Sequence, residues 1–435
     1  MLKVSFHTLG CKVNQYETDA IMELFQQRGY EVVDFHESAD ICIINTCTVT
    51  NIADKKSRKM LSKGKSLNPS AIVVAMGCYA QMAENKLRDK EEIDLIIGNT
   101  KKNQVVDVVE DYIREHKKIS LIEDMRHDVP YEEMWISKIE DKKRAHIKIQ
   151  DGCNQFCSYC IIPFTRGRVR SRKPENVVKE VTQLVGKGYK EIVLTGIHLA
   201  SYGLELPDYK LIDLLIELND IKGLDRIRLG SLEPTLMTED FIAKMAILKK
   251  ICPHFHLSLQ SGCDDILSRM NRHYDTKVYY ESVLNLRKVY NKPAITTDII
   301  VGFPGETDEE FQQTVEFVLK VGFADIHVFK YSPREGTKAA IMKQQIKEEM
   351  KNDRSKKLMT VRDELHDQYL KQFIGSIVEV IFEDTLEING KEFYIGHASN
   401  YSKIIVDKTN DKLENRLLEV QIVEVINDFL KGEIE

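Results

Sequence analysis

Between residues 144 and 331 a short apolar segment followed by a helical one recurs six times. Strands are predicted at 145–150, 191–195, 226–229, 254–259, 295–301 and 325–331, with helical patterns between them at 174–187, 240–250 and 307–321, among others. Strands that alternate with helices pair in parallel, because each helix serves as the crossover. Six such units predict a curled, partly open (β/α)6 barrel whose chemistry sits on the loops at the carboxyl ends of its strands. The loop after the first strand runs Cys153-Asn154-Gln155-Phe156-Cys157-Ser158-Tyr159-Cys160. A disulfide would leave one of these three cysteines idle. Three thiolates can instead serve as soft ligands to an iron–sulfur cluster or zinc, and they leave one coordination position open. A zinc knuckle with His146 as fourth ligand is the other reading, although zinc loops favour paired CxxC halves.

Residues 1–100 alternate in the same way. Strands are predicted at 3–8, 41–45, 71–76 and 94–97, with an amphipathic helix over 17–28 and a basic one over 54–65. This pattern predicts a doubly wound parallel sheet. Cys11, Cys47 and Cys78 each fall just after one of the first three strands. In an open α/β sheet those carboxyl ends share one edge, where ligands bind. Three cysteines more than 30 residues apart along the chain would meet there as a second site of three thiolates. Cys42 lies inside an apolar strand and reads as a buried structural thiol.

Composition adds limits. The chain has 435 residues, nine cysteines and a net charge of −6. Its length suggests two or three domains. No apolar run approaches the roughly 20 residues of a membrane helix, and Met1-Leu2-Lys3-Val4-Ser5-Phe6 lacks a secretory apolar core. A cytoplasmic protein is expected, in which thiols serve metals or catalysis rather than disulfides. Net charge gives no general attraction to nucleic acid, so any such surface is local. One candidate follows the cysteine loop: Arg166, Arg168, Arg170 and Arg172, with Lys173, place five cations in the nine residues from Thr165 to Lys173. The planar guanidinium suits phosphate. Residues 101–143 read as a connection with a helix over 104–116 and the only tryptophan, Trp135. A charged helix over 346–373 precedes Gly375, and residues 376–435 switch to short strands at 377–382, 392–395, 403–406 and 417–426. These predict a small β-barrel. It holds six Lys/Arg against thirteen Asp/Glu, a charge of −7, which is poor for gripping RNA.

In combination these motifs resemble the methylthiotransferase family of radical S-adenosylmethionine (SAM) enzymes over the whole chain. The front part carries Gly10-Cys11-Lys12-Val13-Asn14, Asn45-Thr46-Cys47 and Gly77-Cys78. The middle carries Gly152 through Cys160, Pro163 and the Thr165–Arg172 segment, and the tail carries Gly396-His397-Ala398-Ser399-Asn400-Tyr401, as in a TRAM domain. The resemblance implies a methylthiotransferase domain over 1–140, a radical SAM core over 141–370 and a TRAM domain over 371–435. It implies two 4Fe-4S clusters. One, on Cys153, Cys157 and Cys160, cleaves SAM to a 5′-deoxyadenosyl radical. The other, on Cys11, Cys47 and Cys78, carries the sulfur that is methylated and transferred. Polar groups at the barrel's strand ends, Thr195, Gly196, Ser231, Glu233, Gln260 and Asp298, are the expected contacts to SAM. An electron donor such as a flavodoxin or ferredoxin is also implied.

The stretch Thr8-Leu9-Gly10-Cys11-Lys12-Val13-Asn14-Gln15-Tyr16-Glu17-Thr18 is most similar to the branch that acts on threonylcarbamoyladenosine beside the anticodon of tRNA. The isopentenyladenosine branch usually reads Gly-Cys-Gln-Met-Asn there. The anticodon stem-loop is thus the expected partner, since an unpaired base can be splayed into a pocket. Two enzyme alternatives remain: isopentenyladenosine, or an aspartate of a ribosomal protein, as substrate. A third reading, of another class, is a non-catalytic zinc-dependent RNA-binding protein.

Overall fold

In the amino-terminal part, six strands form one parallel sheet. They are β1 (Lys3–Thr8), β2 (Glu31–Val33), β3 (Ile41–Thr46), β4 (Ile72–Gly77), β5 (Leu95–Ile97) and β6 (Ile119–Leu121), in the order β2-β1-β3-β4-β5-β6. The structure is a computed structural model and describes residues 1–137 and 144–434. Every residue of β3 is buried, as expected for a central parallel strand covered on both faces. Helix α1 (Lys12–Gln27) and the helix Val105–Glu115 cover one face with Tyr16, Ile21, Phe25, Val105 and Val109. Helix α2 (Asn51–Leu67) and the short helix Cys78–Met82 cover the other with Leu61 and Tyr79. The sheet has two more strands than expected, because β2 and β6 are three-residue edges too short to show a period. Residues 101–121 are therefore part of this layer and not a bare connection. The boundary expected at residues 140–141 lies outside the described residues.

The middle part carries β7 (Arg144–Lys148), β10 (Glu191–Thr195) and β11 (Arg226–Leu229) in one parallel sheet. A second holds β12 (His254–His256), β13 (Ala294–Val301) and β14 (Asp325–Lys330). Parallel bridges Ile227↔Ile251 and Leu232↔Leu257 join β11 to the chain around β12, which gives the expected curled six-strand array. The short strands β8 (Gln150–Asp151) and β9 (Arg170–Ser171) pair antiparallel on either side of the cysteine loop.

The long helix Glu348–Lys371 leads to the tail. There β15 (Ile377–Ile388), β16 (Lys391–Ala398), β17 (Lys403–Asp407), β18 (Leu417–Ile426) and β19 (Phe429–Ile434) close a barrel in the order β15-β16-β17-β19-β18. The fifth strand was not expected. It follows β18 through a two-residue turn in which Asn427 has φ 53°, a tight hairpin that hides the break between strands. This barrel docks onto the core through arginines. Arg226 donates to the carbonyls of His397 and Glu379 at 3.0 and 2.7 Å, Arg228 donates to that of Ser399 at 2.9 Å, and Arg144 pairs with Glu383 at 2.9 Å. Two of the tail's acids, Glu379 and Glu383, are thus engaged in docking.

Candidate active site

Cys11 follows β1, Cys47 follows β3, and Cys78 follows β4. The strand order reverses between β1 and β3, so two of these cysteines stand at the switch point where such sheets bind ligands. The turns fit only with glycine. Gly10 has φ +98°, and a Cβ there would lie 2.9 Å from the Cys47 sulfur. At Gly77, with φ +93°, a Cβ would lie 2.5 Å from Asn45 Oδ1. Asn14 ties two of the turns together, donating to the carbonyls of Leu9 at 2.7 Å and Thr46 at 3.1 Å. Asn45 donates back to the Asn14 carbonyl at 2.9 Å. Cys47 and Cys78 are buried, and Cys11 is exposed.

The second trio sits on the loop between β8 and β9. Arg272 donates to the Cys157 sulfur at 3.1 Å and to Glu233 at 3.1 Å. Glu233 also takes Gln155 at 3.1 Å and His198 at 3.0 Å. Its carboxylate is held as a brace for the cysteine loop. Arg272 carried no signal in the sequence, because its position three residues beyond the short helix Asp264–Arg269 looks like any loop cation.

All nine cysteines are free, and three thiolates are a donor set that suits an iron–sulfur cluster with one coordination position left open. His146 sits mid-strand in β7. A buried arginine interacts with each set: Arg166 with Cys11 and Cys78, Arg272 with Cys157. Burial pushes the Cys47 and Cys160 thiols up to about 12 and Cys153 to about 11. Such thiols need a metal to become thiolates.

Two adjoining cavities connect the trios. The larger, about 770 Å³, is lined by Cys11, Lys12, Thr195, Gly196, Ser231 and Asp298, and by Tyr401 of the small barrel, among others. The smaller, about 180 Å³, is lined by Tyr159, Cys160, Gln260 and Asp298. They share Val49, Ile162, Asp298 and Phe329. Of the expected SAM contacts, Thr195, Gly196, Ser231, Gln260 and Asp298 thus face this space, whereas Glu233 lines neither cavity and braces Arg272. Asp298 is paired with His256 at 3.4 Å and His327 at 3.1 Å. Burial opposes its charge, but both histidines hold its carboxyl below the usual range.

The arginine segment is mostly buried, against the expectation of a phosphate-binding surface. Arg166 and Arg172 are fully buried, Arg170 is nearly so, and only Arg168 is exposed. Arg166 donates to Glu17 and Asp151 at 3.0 Å and to Asn14 at 2.7 Å. Arg170 lies 3.4 Å from Asp151. Arg172 pairs with Glu180 and with Glu133, the latter at 2.8 Å, beneath the Trp135 ring. These three cannot reach a phosphate. Arg166, through Glu17 and Asn14, and Arg172, through Tyr16, weld the front part to the core.

Two family models match this chain: the radical SAM superfamily over residues 147–318 and the uncharacterized protein family UPF0004 over residues 3–98. The threonylcarbamoyladenosine tRNA methylthiotransferase MtaB of Bacillus subtilis (strain 168) is 40% identical over 435 residues, covering 100% of this chain and 96% of that protein. The tRNA-2-methylthio-N(6)-dimethylallyladenosine synthase of Clostridium botulinum (strain Hall / ATCC 3502 / NCTC 13319 / Type A) is 35% identical, covering 98% of this chain and 95% of its own. Among solved structures, the radical SAM methyltransferase TsrM from Kitasatospora setae superimposes with a TM-score of 0.56 at 16% identity, over 78% of this chain and 77% of that one. That likeness concerns the fold. With near-complete coverage in sequence and cysteine trios at both expected places, this chain belongs to the methylthiotransferase family of radical SAM enzymes.

Proposed function

We propose that this enzyme converts threonylcarbamoyladenosine beside the anticodon of tRNA to its 2-methylthio derivative. The observation that carries the reading is that one cysteine of each trio, Cys11 and Cys160, lines one of two adjoining cavities. As a radical SAM enzyme it uses a 4Fe-4S cluster and SAM. Cys153, Cys157 and Cys160 are the proposed ligands of that cluster, and Cys11, Cys47 and Cys78 of a second. When bound, the first supplies the electron that cleaves SAM, and the second supplies the sulfur to be methylated and transferred.

The chain's own residues do the rest. Arg272 stabilises negative charge on Cys157, and Arg166 does so at Cys11 and Cys78. Asn14 and Asn45 hold the Cys11 and Cys47 turns in register. Thr195, Ser231, Gln260 and Asp298 offer polar contacts to SAM along the cavity walls. With Arg166, Arg170 and Arg172 buried, RNA phosphates fall to Arg168 and to the exposed Lys55, Lys56, Arg58 and Lys59 on α2, whose preceding residues Val49 and Thr50 line the cavities. The substrate enters from a flexible anticodon loop, and an electron donor such as a flavodoxin or ferredoxin completes the cycle.

Mass spectrometry of tRNA nucleosides tests the reading. Cells lacking the gene should lose 2-methylthio-threonylcarbamoyladenosine and accumulate its unthiolated parent. Unchanged tRNA together with an unmodified ribosomal-protein aspartate would overturn it.

A further inference from the structure

The larger cavity has a charge imbalance at one end. Tyr401 of the small barrel is surrounded by cations: Arg228 lies 4.7 Å from its ring centroid, Arg144 5.1 Å and Lys12 5.9 Å. Arg226 belongs to the same group through Glu191 at 3.6 Å. The carboxylates here are Glu191, Glu379 and Glu383, and each is held by the arginines. Arg228 reaches Glu191 at 2.7 Å, Arg144 reaches Glu383 at 2.9 Å, and Arg226 reaches Glu379 at 3.2 Å. Four cations thus face three anions. Elsewhere on the wall Arg362 pairs with Asp325, His256 and His327 pair with Asp298, and Lys403 and Asp428 contribute one charge of each sign. Among the described residues Lys12 forms no ion pair; its ammonium lies over the Tyr401 ring instead.

Position gives this cation its meaning. Lys12 directly follows Cys11 in the chain, and both line the cavity. A base presented to Cys11 must lie within the sweep of the four-carbon arm of Lys12. The cavity, at about 770 Å³, is of the size that encloses a nucleoside-sized ligand, while the ribose–phosphate chain of a splayed nucleotide stays toward the mouth. An anion reaching Lys12 therefore comes from the base or its substituent. Resting on the proposed substrate, the chemistry is specific: a threonylcarbamoyl group ends in a carboxylate, a dimethylallyl group in apolar carbon.

We propose that Lys12 is a carboxylate-binding subsite that selects adenines bearing an anionic N6 substituent, by a charge-assisted hydrogen bond to the threonyl carboxylate.

The test is equilibrium binding of the iron-loaded enzyme to three anticodon stem-loops. These carry threonylcarbamoyladenosine, its threonyl methyl ester, and plain adenosine. The unaltered enzyme should bind the free carboxylate about 10- to 100-fold more tightly than the ester, the size of one hydrogen bond to a charged group. Lys12→Gln should abolish that difference while leaving affinity for the ester unchanged. Lys12→Arg should keep most of it, and equal iron content in all three proteins controls for folding and loading. Retained discrimination in Lys12→Gln would overturn the subsite and leave the proposed substrate standing. An equal loss for all three RNAs would assign Lys12 to a backbone phosphate and overturn it too. If the unaltered enzyme fails to prefer threonylcarbamoyladenosine over adenosine, the proposed substrate falls and the subsite with it.

Discussion

Glu17 lies at the centre of the buried charge network. It is fully buried and meets Lys102, Lys148 at 2.8 Å and Arg166 at 3.0 Å, while Asp151 takes Lys148 at 2.7 Å and Arg166 at 3.0 Å. Burial alone would raise the Glu17 carboxyl, but Arg166, Lys102 and Lys148 prevail and hold it below its ordinary value. Such a network need not exceed an apolar core in stability, yet removing one partner strands the others without water. Glu17→Ala should therefore cost about 3–5 kcal/mol, read as a drop in the midpoint of denaturant unfolding. The sign with pH follows from linkage. A carboxyl whose folded pKa is depressed contributes its stability above its unfolded pKa and loses it as pH falls through the folded one. The unaltered protein should lose this contribution in acid, and Glu17→Ala should show a shallower loss. An unchanged midpoint would mean that the network carries no net stability.

At the scale of elements, legibility followed distance along the chain. The strands β1, β3, β10, β11 and β13 and the helix α2 were readable because their apolar periods are local. Helix α1 was expected from residue 17 but starts at Lys12. Its N-cap, Cys11, makes no side-chain capping bond, so the usual start signal is missing. The arginine segment misled for the opposite reason. Its alternation with small residues looks like a solvated basic stretch, but its partners Glu17 and Glu180 lie on other elements, 149 residues away in the case of Arg166 and Glu17. Nothing local distinguishes a buried guanidinium from an exposed one. The cysteines were legible because the end of a strand is a local fact, and parallel order then forces such ends together. RNA binding consequently passes to α2. Lys55→Ala, Lys56→Ala and Lys59→Ala combined should weaken stem-loop binding. They should also flatten the dependence of log Kd on log salt by roughly 0.7–0.9 for each phosphate that the triple variant no longer neutralises. An unchanged salt slope would place the RNA on another face.

At the scale of the molecule, three parts converge on two adjoining cavities. The sheet of β1–β6 delivers Cys11, Cys47 and Cys78 from its switch point. The half-barrel delivers Cys153, Cys157 and Cys160 from its first loop, and the small barrel contributes Tyr401 to the wall. Buried ion pairs join the first two parts, and Arg144, Arg226 and Arg228 join the second to the third. No helix among the described residues is long and apolar enough to cross a membrane. The central claim is a division of labour between the two trios across a shared space. It is tested most directly by Cys47→Ala, assayed with SAM, a reductant and threonylcarbamoyladenosine-containing stem-loop, with 5′-deoxyadenosine and 2-methylthio product quantified together by mass spectrometry. Cys47→Ala should form 5′-deoxyadenosine at a substantial fraction of the normal yield with no methylthio product, whereas Cys157→Ala should form neither. Full methylthio product from Cys47→Ala would contradict it.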